Sequence, residues 1–210
     1  MIVIGEDYGE GASIIQERSH AFAMKSSIWL MDPRPNLTSM VDCVEKAFEL
    51  SEASNEPVFV QLRILACHVQ GRFVAKNNRM PKFSGNKKLE TPLFDYMKVA
   101  NAPSTFMQER IKLDKRLPAA IKYIKDNKLN EFFPGDLSEI GIITQGGLYN
   151  SVIRALQHYG LADNDGNSRI PIYSLTVTYP LVDSEIVEFA IGKKNVLVVE
   201  EGQIAGVEPA

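Results

Sequence analysis

The sequence predicts an α/β protein of two small three-layer domains, each built on a parallel sheet, that are joined by a helical linker. Short apolar runs alternate with helical patterns as β-α-β-α-β near the start of the chain, and the same order recurs near its end. This alternation with tight loops is typical of parallel sheets whose faces are covered by helices. The 210 residues are enough for two such cores.

The first domain is predicted over residues 1–66. Apolar runs of four to seven residues mark its strands, and residues at helical spacing mark its helices. The strands are predicted at 1–5, 28–31 and 58–64, and the helices between them at 14–25 and 36–53. The first strand begins at the first residue and reads as buried on both faces. Such a strand usually has earlier elements beside it, so we expect sequence upstream of this one.

Residues 67–136 are predicted as a linker, and residues 137–210 as the second domain. The linker opens with a long polar and basic stretch, and two helical patterns follow at 104–113 and 117–128. A turn rich in proline and glycine closes it. The second domain is then predicted to have strands at 139–144, 170–177 and 194–199, and helices at 148–159 and 183–191.

Composition excludes several classes of function. The net charge is -3, whereas nucleic-acid binding usually shows as a strongly basic domain, so we expect no nucleic-acid partner. No apolar run approaches the roughly 20 residues that span a bilayer, and the acidic start is unlike a signal peptide, so we expect a cytoplasmic protein. Cys43 and Cys67 lack the spacing of metal ligands. We therefore predict two buried, reduced thiols and no metal site.

Candidate site residues fall on loops that follow strands. Glu6, Asp7 and Glu10 stand at the carboxyl end of the first strand, where α/β folds gather ligand contacts, although a solvated acidic loop would have the same composition. Gly146 and Gly147 begin a helix, where free N–H groups bind anions such as a carboxylate or the phosphates of coenzyme A. A plain strand–helix connection is the alternative there.

Two further features have open interpretations. His20 lies on the first helix and could carry a proton near neutral pH, whereas most lone helical histidines are structural. The basic stretch, which includes Lys76, Arg79, Lys82, Lys87 and Lys88, could contact an acidic partner such as ferredoxin or another domain. A solvated linker explains it equally.

Three stretches resemble the indolepyruvate ferredoxin oxidoreductase family. Residues 5–20, GEDYGEGASIIQERSH, are similar to the loop and helix late in the pyrimidine-binding domain of that family's alpha chain. Residues 143–150, ITQGGLYN, look like the start of its transketolase-C-terminal-like domain. Residues 198–203, VVEEGQ, are similar to a signature on the last strand. With the order of elements, the resemblance covers nearly the whole chain up to Gln203, after which the sequence departs from the family pattern.

The resemblance implies a piece of a thiamine-diphosphate-dependent 2-oxoacid:ferredoxin oxidoreductase. Such an enzyme oxidatively decarboxylates an aryl 2-oxoacid, passes the acyl group to coenzyme A and sends electrons through iron–sulfur clusters to ferredoxin. The first domain would be a partial pyrimidine-binding domain and the second a transketolase-C-terminal-like domain. The residues expected to contact the cofactor are Glu6, Asp7, Gln16, Glu17, Arg18, Gly146 and Gly147.

The family's essential parts have no counterpart that we identify in this chain. The glutamate that activates the cofactor lies upstream of the matched segment in this family, and the domain that holds the diphosphate and magnesium, like the clustered cysteines, lies elsewhere. We therefore predict no catalytic and no metal-binding residue here, and we expect the chain alone to be inactive. Its expected partners are other domains or subunits of the same enzyme, with a homodimer as one arrangement.

Two other functions stay open on the sequence. A non-catalytic interaction or regulatory module would keep the fold without the chemistry, and exposed apolar surface near residues 1–4 would suit its docking to a partner. A generic nucleotide binder that uses residues 145–147 is the third, and a binding assay would decide on it.

Overall fold

The computed structural model describes residues 1–6, 19–77, 95–96 and 99–201. Its elements alternate between strand and helix at both ends of the chain. In chain order they are β1 (Ile2–Glu6), α1 (Ser19–Ser26), β2 (Trp29–Met31), α2 (Leu37–Ser54), β3 (Val58–Arg63), α3 (Ile64–Cys67), α4 (Ser104–Ile111), α5 (Leu117–Asp126), β4 (Glu131–Phe133), β5 (Ile140–Gln145), α6 (Tyr149–His158), β6 (Ile172–Leu175), β7 (Val177–Tyr179), α7 (Asp183–Ala190) and β8 (Asn195–Val199).

The strands form two four-stranded sheets, with the orders β1-β3-β2-β7 and β4-β6-β5-β8. In each sheet three neighbouring strands are parallel, namely β1, β3 and β2 in the first and β6, β5 and β8 in the second. The predicted α/β class with two sheets is confirmed. Each sheet also has one antiparallel strand that the sequence did not predict, because β7 pairs with β2 and β4 pairs with β6.

Strand β7 links the two sheets. It begins two residues after β6 ends, and it leaves the second sheet to pair with β2 of the first. The N–H of Asp32 donates to the carbonyl of Thr176, at 2.8 Å, just where the chain crosses over. The sequence predicts one strand over residues 170–177 because apolar residues recur on both sides of this crossover, up to Val177.

The first core lies between the first sheet and helices α2 and α5. Trp29 is fully buried, and its indole N–H donates to Ser54 Oγ at 2.8 Å. Ala120 and Ile124 of α5 are also fully buried in this core. Helix α5 is therefore an integral part of the first α/β unit, although we predicted it as part of a linker.

Helix α2 has the limits that its sequence predicts, within a residue. Asn36 is its N-cap, and Asn36 Oδ1 accepts the Ser39 N–H at 2.8 Å. Asn55 ends the helix in the left-handed conformation, with φ at 53°. Both signals are local side-chain effects, which is why they can be read from the sequence.

The second sheet has helices on both faces. Helix α6 packs Val152, Ile153 and Leu156 against one face, and Phe189 of α7 packs with Ile143 against the other. Helix–sheet–helix layering of this kind is the three-layer arrangement that the sequence predicts.

Strand β1 is an edge strand of the first sheet in the described part of the chain. Ile2 and Val3 are 48% and 55% exposed, so the expectation of a strand buried on both faces is wrong for these residues. The exposed apolar surface that we expected near residues 1–4 is therefore present.

Candidate functional site

The carboxyl ends of the parallel strands in the two sheets face each other. Glu6 ends β1, Arg63 ends β3 and Gln145 ends β5, while Asp32 follows β2 and Glu201 lies two residues past β8. Hydrogen bonds from Arg63 reach three of these residues, two of them in the second unit. We call the contact between Asp32, Arg63, Gln145 and Glu201 the strand-end seam.

Arg63 is the centre of the strand-end seam. Its Nη2 donates to Asp32 Oδ2 at 2.7 Å and to Gln145 Oε1 at 2.8 Å, its Nε lies 3.4 Å from Asp32 Oδ1, and its Nη1 donates to Glu201. The side chain of Arg63 is only 9% exposed and that of Asp32 is 3% exposed. Buried charges need partners of this kind because desolvation is costly. The guanidinium therefore joins the two sheets through charge-assisted bonds.

Gly146 and Gly147 allow the two units to approach this closely. A Cβ on Gly146 would overlap the backbone carbonyl of Asp32. A Cβ on Gly147 would overlap Arg63 Nε and would lie 2.5 Å from Asp32 Oδ1. The structure thus gives both glycines a packing role, since the groups facing them belong to the first unit of the same chain. Their predicted role in binding the cofactor remains a prediction.

Glu6 and His20 lie together beside the strand-end seam. The buried carboxylate of Glu6 accepts the Ser19 N–H, at 3.2 and 3.3 Å from its two oxygens. His20, on α1, is 7% exposed and hydrogen-bonds the backbone of Thr178. Burial lowers the pKa of His20, and the bond to Thr178 and the nearby carboxylates, with Glu200 foremost, oppose that shift.

Several predicted site residues lie outside the described residues. These are Asp7, Glu10, Gln16, Glu17 and Arg18, together with the basic stretch from Arg79 to Lys88. Of that stretch the structure describes Lys76, which pairs with Glu45 on an exposed surface of α2. An isolated exposed pair contributes little to stability, typically below about 1 kcal/mol.

A second contact between the units centres on Arg34. Its guanidinium makes a bidentate ion pair with the carboxylate of Glu131, with Nη2 to Oε1 at 2.6 Å. It also lies 5.1 and 4.9 Å from the ring centroids of Phe133 and Tyr149. Asn150 Nδ2 also donates to the carbonyl of Pro35 at 3.2 Å. A cavity of about 600 Å³ adjoins these side chains. Ion pairing and cation–π contact together fix the turn after β2 to the second unit.

Asp32, Arg63 and Arg34 were not predicted from the sequence. Arg63 ends the apolar strand VFVQLR, and Asp32 directly follows the apolar run WLM. A charged residue at the carboxyl end of a buried strand is a signal that could have identified both, because it lies where strand ends converge.

The cysteines differ in environment. Cys43 is buried, and burial raises the pKa of its thiol to about 12. Cys67 is exposed, so the prediction of two buried thiols is wrong for this one. Its position just after β3, at the end of the short helix α3, places it on the surface.

Over the described ranges, no cluster of three or more His, Cys, Asp or Glu side chains has the arrangement of a metal site. The same part of the chain contains no helix with both the length and the apolar character needed to cross a bilayer.

The α/β fold resembles that of part of a 2-oxoacid:ferredoxin oxidoreductase. The 2-oxoglutarate:ferredoxin oxidoreductase from Magnetococcus marinus, solved with 2-oxoglutarate, coenzyme A and succinyl-CoA bound, superposes with a TM-score of 0.52 at 15% identity. The match covers 93% of this chain and 40% of that one. No family model matches the sequence.

Two curated proteins match in sequence. They are the indolepyruvate oxidoreductase subunits IorA of Methanothermobacter marburgensis and Methanothermobacter thermautotrophicus, each 27% identical over 202 residues. The alignments cover 96% of this chain, which spans 31% of the length of these relatives. The resemblance to the indolepyruvate ferredoxin oxidoreductase family is confirmed: this chain is homologous to a segment of that subunit.

Proposed function

We propose that this chain is part of an enzyme that oxidatively decarboxylates indolepyruvate or a similar aryl 2-oxoacid to the acyl-CoA. The supporting observation is the sequence match to IorA along 96% of the chain, with matched residues on both α/β units. Because the chain spans 31% of those relatives, the activity of the whole enzyme is our inference and belongs to an assembly larger than these residues.

Thiamine diphosphate is the cofactor that we propose for that assembly, with magnesium and iron–sulfur clusters held by its other parts. The described residues do not fit this cofactor by themselves. The polar side chains of the strand-end seam are bonded to one another, and no described cluster could hold magnesium. We therefore derive no catalytic step from them, and the proposed activity of this chain in isolation is nil.

The proposed contribution of the chain is to form one edge of the cofactor pocket and to fix the position of the two α/β units relative to each other. The residues proposed for that edge are Glu6 and Asp7, together with residues 16–18. The domains that we propose for the chain are a partial pyrimidine-binding domain at 1–66, a loop and helical linker at 67–136, and a transketolase-C-terminal-like domain at 137–210. Its proposed partners are other domains or subunits of the enzyme, in which coenzyme A and ferredoxin would serve as acyl and electron acceptors.

An anaerobic assay tests this proposal. The chain is produced together with the sequences that flank it in its own genome, and dye reduction is followed with indolepyruvate, coenzyme A, thiamine diphosphate and magnesium. We expect turnover by the assembly and none by the 210-residue chain. Arg63→Ala should lower the activity of the assembly, and Arg169→Ala, which breaks an exposed pair with Asp136, should leave it unchanged. An assembly that oxidises no aryl 2-oxoacid would overturn the proposal, as would decarboxylation by the isolated chain.

A non-catalytic interaction module is the second candidate. The observation that favours it is the exposed apolar pair Ile2 and Val3 on the edge strand β1, since exposed apolar edges are frequent docking sites. This alternative predicts stable association with a partner subunit and no turnover in the same assay. Substituting both residues by threonine would then abolish the association.

A further inference from the structure

His20 is the histidine that the fold buries. His68 and His158, the other two in the sequence, are exposed. The ring of His20 hydrogen-bonds the backbone of Thr178 on β7, and its Nε2 is buried with no hydrogen-bond partner in the described part of the chain. Buried side-chain nitrogens without a partner are uncommon in folded proteins, so this one calls for an explanation.

Carboxylates from three different elements act on His20. They are Glu200 past β8, Asp32 past β2 and Glu6 at the end of β1, in decreasing order of influence. Strand β7, which also packs on α1, contributes Thr178 and the phenol of Tyr179 but no charged residue. Asp32 is bonded to Arg63, so a carboxylate that acts on the ring also belongs to the guanidinium contact that joins the two units.

We propose that His20 is a proton-operated switch of the strand-end seam. While the imidazole is neutral, the bonds from Arg63 to Asp32, Gln145 and Glu201 stay closed. On protonation, Nε2 becomes a donor and the ring carries a positive charge near Asp32. The buried imidazolium is unfavourable in the closed seam, and its attraction for Asp32 competes with the bond from Arg63 to that carboxylate. The seam therefore opens and the ring reaches solvent. This inference goes beyond the proposed function and does not depend on it.

The direction of the pH response follows from burial. In the closed seam the pKa of His20 is lowered, chiefly because burial disfavours the charged ring. In an open seam the ring is solvated and its pKa returns toward the ordinary value of about 6.5. The open form therefore binds the proton more tightly. As the pH falls below about 6.5, opening is favoured by up to about tenfold per pH unit, until the pKa of the closed form is passed.

Hydrogen exchange of the 210-residue chain between pH 5 and 8, corrected for intrinsic exchange rates, tests the switch. We expect the amides of Asp32 and residues 145–147 to lose protection below about pH 6.5, by up to about tenfold per pH unit, while core amides of β3 stay protected. The midpoint should coincide with the titration of the His20 ring measured by NMR. His20→Gln should remove the response, and His158→Gln should leave it intact.

Three results would overturn the switch. The first is protection of the strand-end seam that does not change with pH in the unaltered chain. The second is the same pH response in His20→Gln. The third is loss of protection at the core amides of β3 together with those of the seam, which would indicate global unfolding. Where His20→Gln does not fold, the unaltered chain decides, because a His20 ring that titrates without any change in seam protection also rules the switch out.

Discussion

Replacing Arg63 with alanine should destabilise the protein by about 3–5 kcal/mol, the range measured when one partner of a buried ion pair is removed. The substitution deletes the guanidinium that bonds Asp32, Gln145 and Glu201. It leaves the carboxylate of Asp32, which is 3% exposed, buried without the cation that offsets its desolvation. Most of the lost stability should therefore come from the uncompensated buried charge of Asp32, and less of it from the missing hydrogen bonds themselves.

A control and a double substitution separate these contributions. Arg169→Ala breaks a pair with Asp136 whose side chains are 52% and 62% exposed, so its cost should stay below about 1 kcal/mol. Arg63→Met combined with Asp32→Leu removes both buried charges. The pair of substitutions should cost clearly less than the sum of the two single changes, because neither charge is then left alone.

Urea unfolding measures these free energies. Trp29 is the only tryptophan in the sequence and is fully buried in the first core, so its fluorescence reports the unfolding of that unit, and far-UV circular dichroism reports both. If Arg63→Ala costs no more than Arg169→Ala, or if the double substitution is simply additive, the strand-end seam does not hold the two units as argued.

Three further predictions rest on buried contacts. Gly147→Ala should cost about 1–3 kcal/mol in urea unfolding because its Cβ meets the strand-end seam, whereas Gly5→Ala, with open space around it, should stay within about 0.5 kcal/mol. Tyr173→Phe should lower the free energy of unfolding by about 1–3 kcal/mol in the same measurement. Its buried hydroxyl donates to Glu185 Oε2 at 2.5 Å and accepts from Asn130 Nδ2 at 3.0 Å. A thiol reagent at pH 8 should label Cys67 in the folded protein and spare Cys43, whose pKa burial raises to about 12, until denaturant is added; rapid double labelling would contradict this.

Helices with local signals were predictable from the sequence. Helix α2 lies within a residue of its predicted limits because Asn36 and Asn55 act on backbone groups within a few residues of themselves. The parallel strands of both sheets were predicted for a similar reason, since short apolar runs indicate strands without knowledge of their neighbours. The residues of these elements therefore determine much of their own structure.

Long-range pairing was not predictable by these means. Strand β7 has three residues, and its partner Leu30 is almost 150 positions earlier in the chain, so no local pattern distinguishes it from the end of β6. Helix α5 reads as a linker helix from its spacing, and only the packed structure shows Ala120 and Ile124 in the first core. The strand-end seam could not be predicted for the same reason, because Arg63 contacts Gln145 and Glu201 only after both units have folded.

The strand-end seam also limits how a ligand could use this part of the molecule. In open α/β sheets, ligands bind in the crevice beyond the carboxyl ends of the strands. Here the two crevices face one another, and Arg63 together with Gly146 and Gly147 closes the distance between them. A ligand between the sheets must displace bonds from Arg63, whereas a ligand at the margin, beside Glu6 and His20, leaves them intact. A pocket at the margin is therefore compatible with the Arg63 bonds that hold the two units together. Because His20 lies at this margin, its protonation state would affect both the pocket and those bonds.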